Sequence, residues 1–140
     1  MADDHLERFV VAQDSAGTYD TALAELRQGR KRSHWMWFVF PQIAGLGRSA
    51  TAQRYALADL SEAVAYAAHP VLGARLRECA RVLAELPSRD PVEVLGSVDA
   101  QKLHSSMTLF SRAAPEDAVF SRVLDQYFDG ALDEGTVSRM

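Results

Sequence analysis

The chain has a single cysteine, Cys79, in 140 residues. No internal disulfide can staple it, so stability has to come from a packed core. Cys79 falls on the apolar face of a predicted helix, which points to a buried, inert thiol rather than a nucleophile. Long hydrophobic runs are missing too. None is longer than the run Trp35 to Phe40, far below the roughly 20 residues a membrane span requires. The opening Met1-Ala2-Asp3-Asp4-His5 is acidic and polar, the wrong chemistry for a signal peptide. These absences predict a cytoplasmic protein in a reducing compartment with no membrane partner. The histidines His5, His34, His69 and His104 stand apart, with no His-x-x-x-His and no cysteine pair. No metal site is expected, and nothing implies a cofactor. Repeats, heptads and low-complexity tracts are also missing.

One further absence is local. From Leu26 to Ala58 no acidic residue occurs, while Arg27, Arg30, Lys31, Arg32, Arg48 and Arg54 do. The whole chain carries −4, so the remainder carries −10. Basic charge confined to one segment of an acidic body suggests a local anion site. It argues against the broad basic footprint of a nucleic-acid partner.

What is present is ordinary globular composition, 48% hydrophobic and 24% charged. The length suits one domain, residues 1–140, and nothing sets an oligomeric state. Leu6, Phe9, Val10 and Gln13 recur at helical spacing, with Asp3 or Asp4 as a cap. Thr18 is placed to cap a helix over Tyr19 to Gln28, which Gly29 ends. His34 to Phe40 reads as a buried strand or a short buried helix, stopped by Pro41, and Gln42 to Ser49 as a loop. Asp59 or Ser61 caps Glu62 to Ala68. Pro70 then opens Val71 to Leu86, whose Leu72, Leu76, Cys79, Val82, Leu83 and Leu86 form an apolar stripe. Asp90-Pro91 starts a short helix. Asp99 caps another through Lys102, Leu103, Ser106, Met107 and Phe110. Pro115 opens a last strong helix ending at Gly130, and Asp133 to Met140 is expected to fray. No convincing alternating strand appears. The predicted fold is an all-α, compact multi-helix domain with short loops.

Two clusters can carry chemistry. Arg30, Lys31, His34, Trp35 and Trp37 lie within eight residues. Guanidinium and ammonium groups bind phosphate or carboxylate, and indole rings stack on planar bases. Gly45 and Gly47 would let backbone N–H groups approach an anion, although Gly45-x-Gly47 matches no standard phosphate loop. The second cluster is Asp99, Lys102, His104, Ser105, Ser106 and Thr108. On a helix Lys102, Ser106 and Asp99 share a face, and a Ser–Lys pair can serve nucleophilic catalysis. Either cluster can equally be plain core and solvated surface.

The string Gly29-Arg30-Lys31-Arg32-Ser33-His34-Trp35-Met36-Trp37-Phe38-Val39-Phe40-Pro41-Gln42, followed by Gly45-Leu46-Gly47, closely resembles a bacterial family described only as a domain of unknown function, number eighteen-ten. His69 to Leu76 and Asp99 to Phe110 carry the same resemblance. It implies a compact helical domain and no established activity. Some members bear the label calpastatin, which names a repetitive disordered inhibitor, and this chain has neither property. More loosely, the arrangement is similar to the helical family that processes NAD- and ADP-ribose-type N-glycosides.

Together these features point to a pocket for a small anionic, planar ligand such as a nucleotide or ADP-ribose derivative. Arg30, Lys31 and Lys102 would hold charge, Trp35 or Trp37 would stack, and Gln42 and Ser105 would orient. Were it an enzyme, hydrolysis of an N-glycosidic bond would fit, with Asp99 as the acid–base or oxocarbenium-stabilising carboxylate. The competing class is a protein-interaction module with exposed Trp and Arg as anchors. DNA binding comes third, for want of a helix-turn-helix signal. The two clusters are expected to meet in space.

Overall fold

The computed structural model describes residues 3–140. Helices take up 67% of it, in the order α1 (Asp3–Asp14), a 3₁₀ turn (Ser15–Gly17), α2 (Thr18–Arg27), α3 (Met36–Val39), α4 (Ala50–Arg54), α5 (Leu60–Ala68), α6 (Leu72–Glu85), α7 (Pro91–Leu95), α8 (Ser97–Ala113), α9 (Val119–Phe128) and α10 (Glu134–Val137). The expected all-α class holds. Among the described residues extended pairing is limited to one parallel bridge, Ile43 with Leu57. None of these helices is long and apolar enough to cross a membrane.

Local chemistry explains most boundaries. Gly29 takes φ +75° just past α2. Its N–H donates to Leu26 O at 2.9 Å, and that of Arg30 to Glu25 O at 3.1 Å, the paired hydrogen bonds of a Schellman ending. Asp59, not Ser61, caps α5, accepting from Glu62 N at 2.9 Å. His69 does the same for α6 through its ring: Nδ1 accepts from Val71 N at 3.1 Å and Leu72 N at 3.2 Å. Asp90 caps α7.

Some expectations are corrected. Thr18 does not cap α2: Gly17 holds that position, and the Thr18 hydroxyl donates back to Ser15 O at 2.7 Å. The ambiguous run His34 to Phe40 becomes the short helix α3. Asp99 does not cap α8, because that helix already begins at Ser97 and leaves Asp99 inside its first turn. Pro115 precedes α9 by a turn rather than opening it. The suggested α1 caps, Asp3 and Asp4, lie outside the residues whose side chains are described. The segment expected to fray carries α10, with Thr136 fully buried.

The core is continuous from Leu6 and Phe9 through Trp35, Phe40, Tyr66 and Leu83 to Phe110 and Phe120. At its centre lies α8, packed against α5, α7, α9 and α10. Every residue from Ser105 to Phe110 is buried. A helix enclosed on all sides carries its polar groups only where a neighbour leaves a gap, and such a gap lies at its N-terminal half.

Candidate functional site

Glu25 organises the basic segment. Its carboxylate, on α2, accepts from Arg32 N at 2.8 Å, Ser33 N at 3.0 Å, Ser33 Oγ at 2.6 Å and Trp35 Nε1 at 2.8 Å. Burial pushes this carboxyl up, but the donors from Ser33, Arg32 and Trp35 outweigh burial and bring it down to about 2. The chain after Gly29 is therefore folded back onto α2. Trp35 is 1% exposed with its indole N–H committed, so it is a core side chain and not a stacking platform.

This turn delivers Lys31 to α8. Lys31 Nζ lies 2.7 Å from Asp99 Oδ2, with the two side chains only 7% and 18% exposed, and 5.1 Å from the centroid of the Trp35 ring. Lys102, one turn along α8, approaches the other oxygen, Asp99 Oδ1, at a looser 3.5 Å. Its ammonium also lies over the Trp37 ring. The two sequence clusters thus meet, as expected, through Asp99. Two ammonium groups share one carboxylate, which leaves a single positive charge, and the tight contact belongs to Lys31. Lys102 keeps donor capacity. The indole N–H of Trp37 is buried without a partner among the described residues.

Beside Lys102 opens a cleft of about 430 Å³, lined by Gln42, Leu46, Gly47, Val98, Gln101, Lys102, Ser105, Asp133 and Gly135. That volume lies within the usual range of about 300–1,000 Å³ for small-molecule pockets. Three elements wall it: the first turns of α8, the loop between α3 and α4, and the start of α10. Gly47 is needed for the closeness of this loop, since a Cβ there would fall 2.4 Å from that of Ala52.

Asp133 is the carboxylate among the lining residues. Its Oδ2 accepts from Ser105 Oγ at 3.0 Å, Thr136 N at 3.2 Å and Thr136 Oγ1 at 2.6 Å. Its Oδ1 accepts from Gln101 Nε2 at 3.2 Å. Burial raises the Asp133 carboxyl, yet the hydrogen bonds from Thr136 and Ser105, aided by nearby His104, bring it below its ordinary value. It is ionised at neutral pH. At the rim, Arg139 donates to Gly135 O at 2.9 Å and packs its side chain against Gly45.

The sequence-derived candidates therefore divide. Gln42, Gly47, Lys102 and Ser105 line the cleft, while Lys31, Asp99, Trp35 and Trp37 form the charged and aromatic cluster behind Lys102. Arg30 and His34 are exposed and do not line it. Gly45, at φ +98°, is an exposed turn residue under Arg139. Ser106 is fully buried with its hydroxyl unpartnered, and does not line the cleft with Lys102. Sequence reasoning missed Gln101, Asp133 and Arg139. An N-cap signal was available for Asp133, an aspartate directly ahead of an acidic first-turn residue, Glu134.

The fold and these motifs meet in one set of relatives. The chain belongs to the DUF1810 family. That family is described as "Protein of unknown function", and its model matches residues 3–140. Among solved structures, the chain is similar to the crystal structure of the conserved hypothetical protein Rv1873 from Mycobacterium tuberculosis. It shares 48% identity and a TM-score of 0.91, over 95% of this chain and 94% of that one. Among curated proteins none matches.

Proposed function

We propose that the cleft beside Lys102 binds a small anionic, planar ligand of the nucleotide or ADP-ribose kind. The observation that carries this is convergence. Lys102, Gln42, Ser105 and Asp133 meet on one concavity whose other walls include Leu46 and Val98. Apolar lining with a few convergent polar groups is the usual make-up of a small-molecule site. Lys102 supplies charge to the anion, Gln42 and Ser105 orient, and Leu46 and Val98 offer a surface for a flat ring. Arg139 adds positive charge at the rim.

The geometry favours binding over catalysis. Asp99 is paired with Lys31 and Lys102, which supports a charge-positioning role for it over the acid–base role. Ser106 lies in the core, away from Lys102's face of the cleft. If the ligand is an N-glycoside, Asp133 takes over the carboxylate role. Ionised, it can stabilise an oxocarbenium-like charge, but it has no proton to give.

A thermal-shift screen against NAD, ADP-ribose, nucleotides and sugar phosphates tests the proposal. Stabilisation by at least one of them, lost in Lys102→Ala, is the expected result. No shift at millimolar concentration with any compound would remove the cleft reading and favour a protein-interaction module. Release of free base on prolonged incubation would add hydrolysis to binding.

A further inference from the structure

We propose that Asp133 and Gln101 read a pair of sugar hydroxyls, so that the ligand class is a ribosyl phosphate rather than any planar anion. The inference rests on the cleft being the ligand site. It starts from the unequal loading of the Asp133 carboxylate. Oδ2 is saturated by Ser105 and by both the amide and hydroxyl of Thr136, whereas among the described residues Oδ1 meets only Gln101 Nε2 at 3.2 Å. A carboxylate oxygen accepts about two hydrogen bonds, so Oδ1 has room for one more donor. Gln101 spends its amide N–H on Asp133, which leaves its carbonyl oxygen as a second acceptor beside the first. Both residues line the cleft. An ionised carboxylate donates nothing, so the ligand must bring the protons.

The donors could be an ammonium, the neutral N–H groups of a base, or neutral hydroxyls, and two probes that share one base separate the last two. Lys102 lines the same cleft, and Arg139 stands at its rim against Gly135. A further cation would enter against both. Hydroxyls bring donors without charge, and the phosphate of the same ligand answers Lys102. Two adjacent acceptors match two adjacent hydroxyls, the pattern a ribose presents.

Asp133→Asn is suited to the test. Placed with its oxygen toward Thr136, the amide keeps the α10 cap and turns the cleft-facing atom from acceptor into donor. The probes are AMP and 2′,3′-dideoxy-AMP, which share base and phosphate and differ only in the hydroxyls. By calorimetric titration the wild type should bind AMP about tenfold or more tightly than the dideoxy compound, the usual effect of hydrogen bonds to a charged group. In Asp133→Asn that ratio should collapse while dideoxy-AMP binding persists. Lys102→Ala should weaken both probes alike. Equal affinity of the wild type for the two probes overturns the hydroxyl assignment and leaves the cleft reading standing. So does binding confined to anions that carry no ribose, with neither probe bound. If no anion binds at all, both fall. The wild-type comparison needs no variant and decides the matter even if Asp133→Asn unfolds.

Discussion

Lys102 holds its ammonium nitrogen 4.5 Å from the centroid of the Trp37 ring. The ring face and the loose contact with Asp99 position this cation without consuming its donors. Its ion pair is long, and Asp99 keeps the closer Lys31 when Lys102 is removed, so the pair contributes about 1 kcal/mol or less to folding. Lys102→Ala should therefore leave the melting temperature nearly unchanged yet weaken an anionic ligand roughly ten- to a hundredfold. Arg30→Ala, on an exposed side chain outside the cleft, should leave affinity as it is. Titration of both variants alongside melting curves separates the two roles, and a matching loss in Arg30→Ala would place the anion elsewhere.

Glu25 makes a pH-dependent contribution of definite sign. Its carboxyl drops from 4.5 to about 2 on folding, so the stabilisation is complete above pH 4.5 and disappears as pH falls toward 2. The difference corresponds to about 3 kcal/mol at neutral pH. Glu25→Gln should show that deficit in urea unfolding at pH 7, with the gap to wild type narrowing steadily below pH 4.5. A gap independent of pH would mean that the hydrogen-bond geometry matters and the charge does not.

Steric crowding at Gly47 gives a paired test. A methyl there collides with Ala52, and overpacking of this kind costs about 1–3 kcal/mol. Gly47→Ala should lower the melting temperature. Ala52→Gly alone costs about 1 kcal/mol through helix propensity, but in combination it should restore part of the loss. Simple additivity in the double variant would show that the two side chains do not meet.

Cys79 is fully buried, and burial pushes its thiol up to about 12. A thiolate-dependent reagent should leave the native protein unlabelled and modify one equivalent only after denaturation. Rapid native labelling would show that α6 opens readily.

Much of the architecture was legible in the sequence because its signals are local. Gly29 ends its helix through its backbone, Asp59 and Asp90 start theirs through side-chain caps, and the Leu72–Leu76–Cys79–Leu83 stripe announces the buried face of α6. The site was legible only in part. Lys102 and Ser105 stood out as polar residues amid apolar ones. The roles of Asp99 and Trp35 did not, because each depends on a partner distant in sequence: Lys31 reaches Asp99, and Glu25 claims the Trp35 indole. Asp133 was passed over because a weakly hydrophobic terminus has no periodicity to mark it. What fixes it is a tertiary contact with Ser105.

The enclosure of α8 bears on how this protein can change over generations. An ordinary surface helix offers a tolerant outer face where substitutions accumulate, while its inner face stays fixed. Between Ser105 and Phe110 there is no outer face. The backbone that presents Gln101, Lys102 and Ser105 to the cleft is the same backbone that centres the core, so a new specificity cannot be tried there without repacking the interior. Innovation in this protein has more freedom in the two flanking walls, the Gln42 to Gly47 loop and the segment around Asp133, which can be redrawn while α8 stays still.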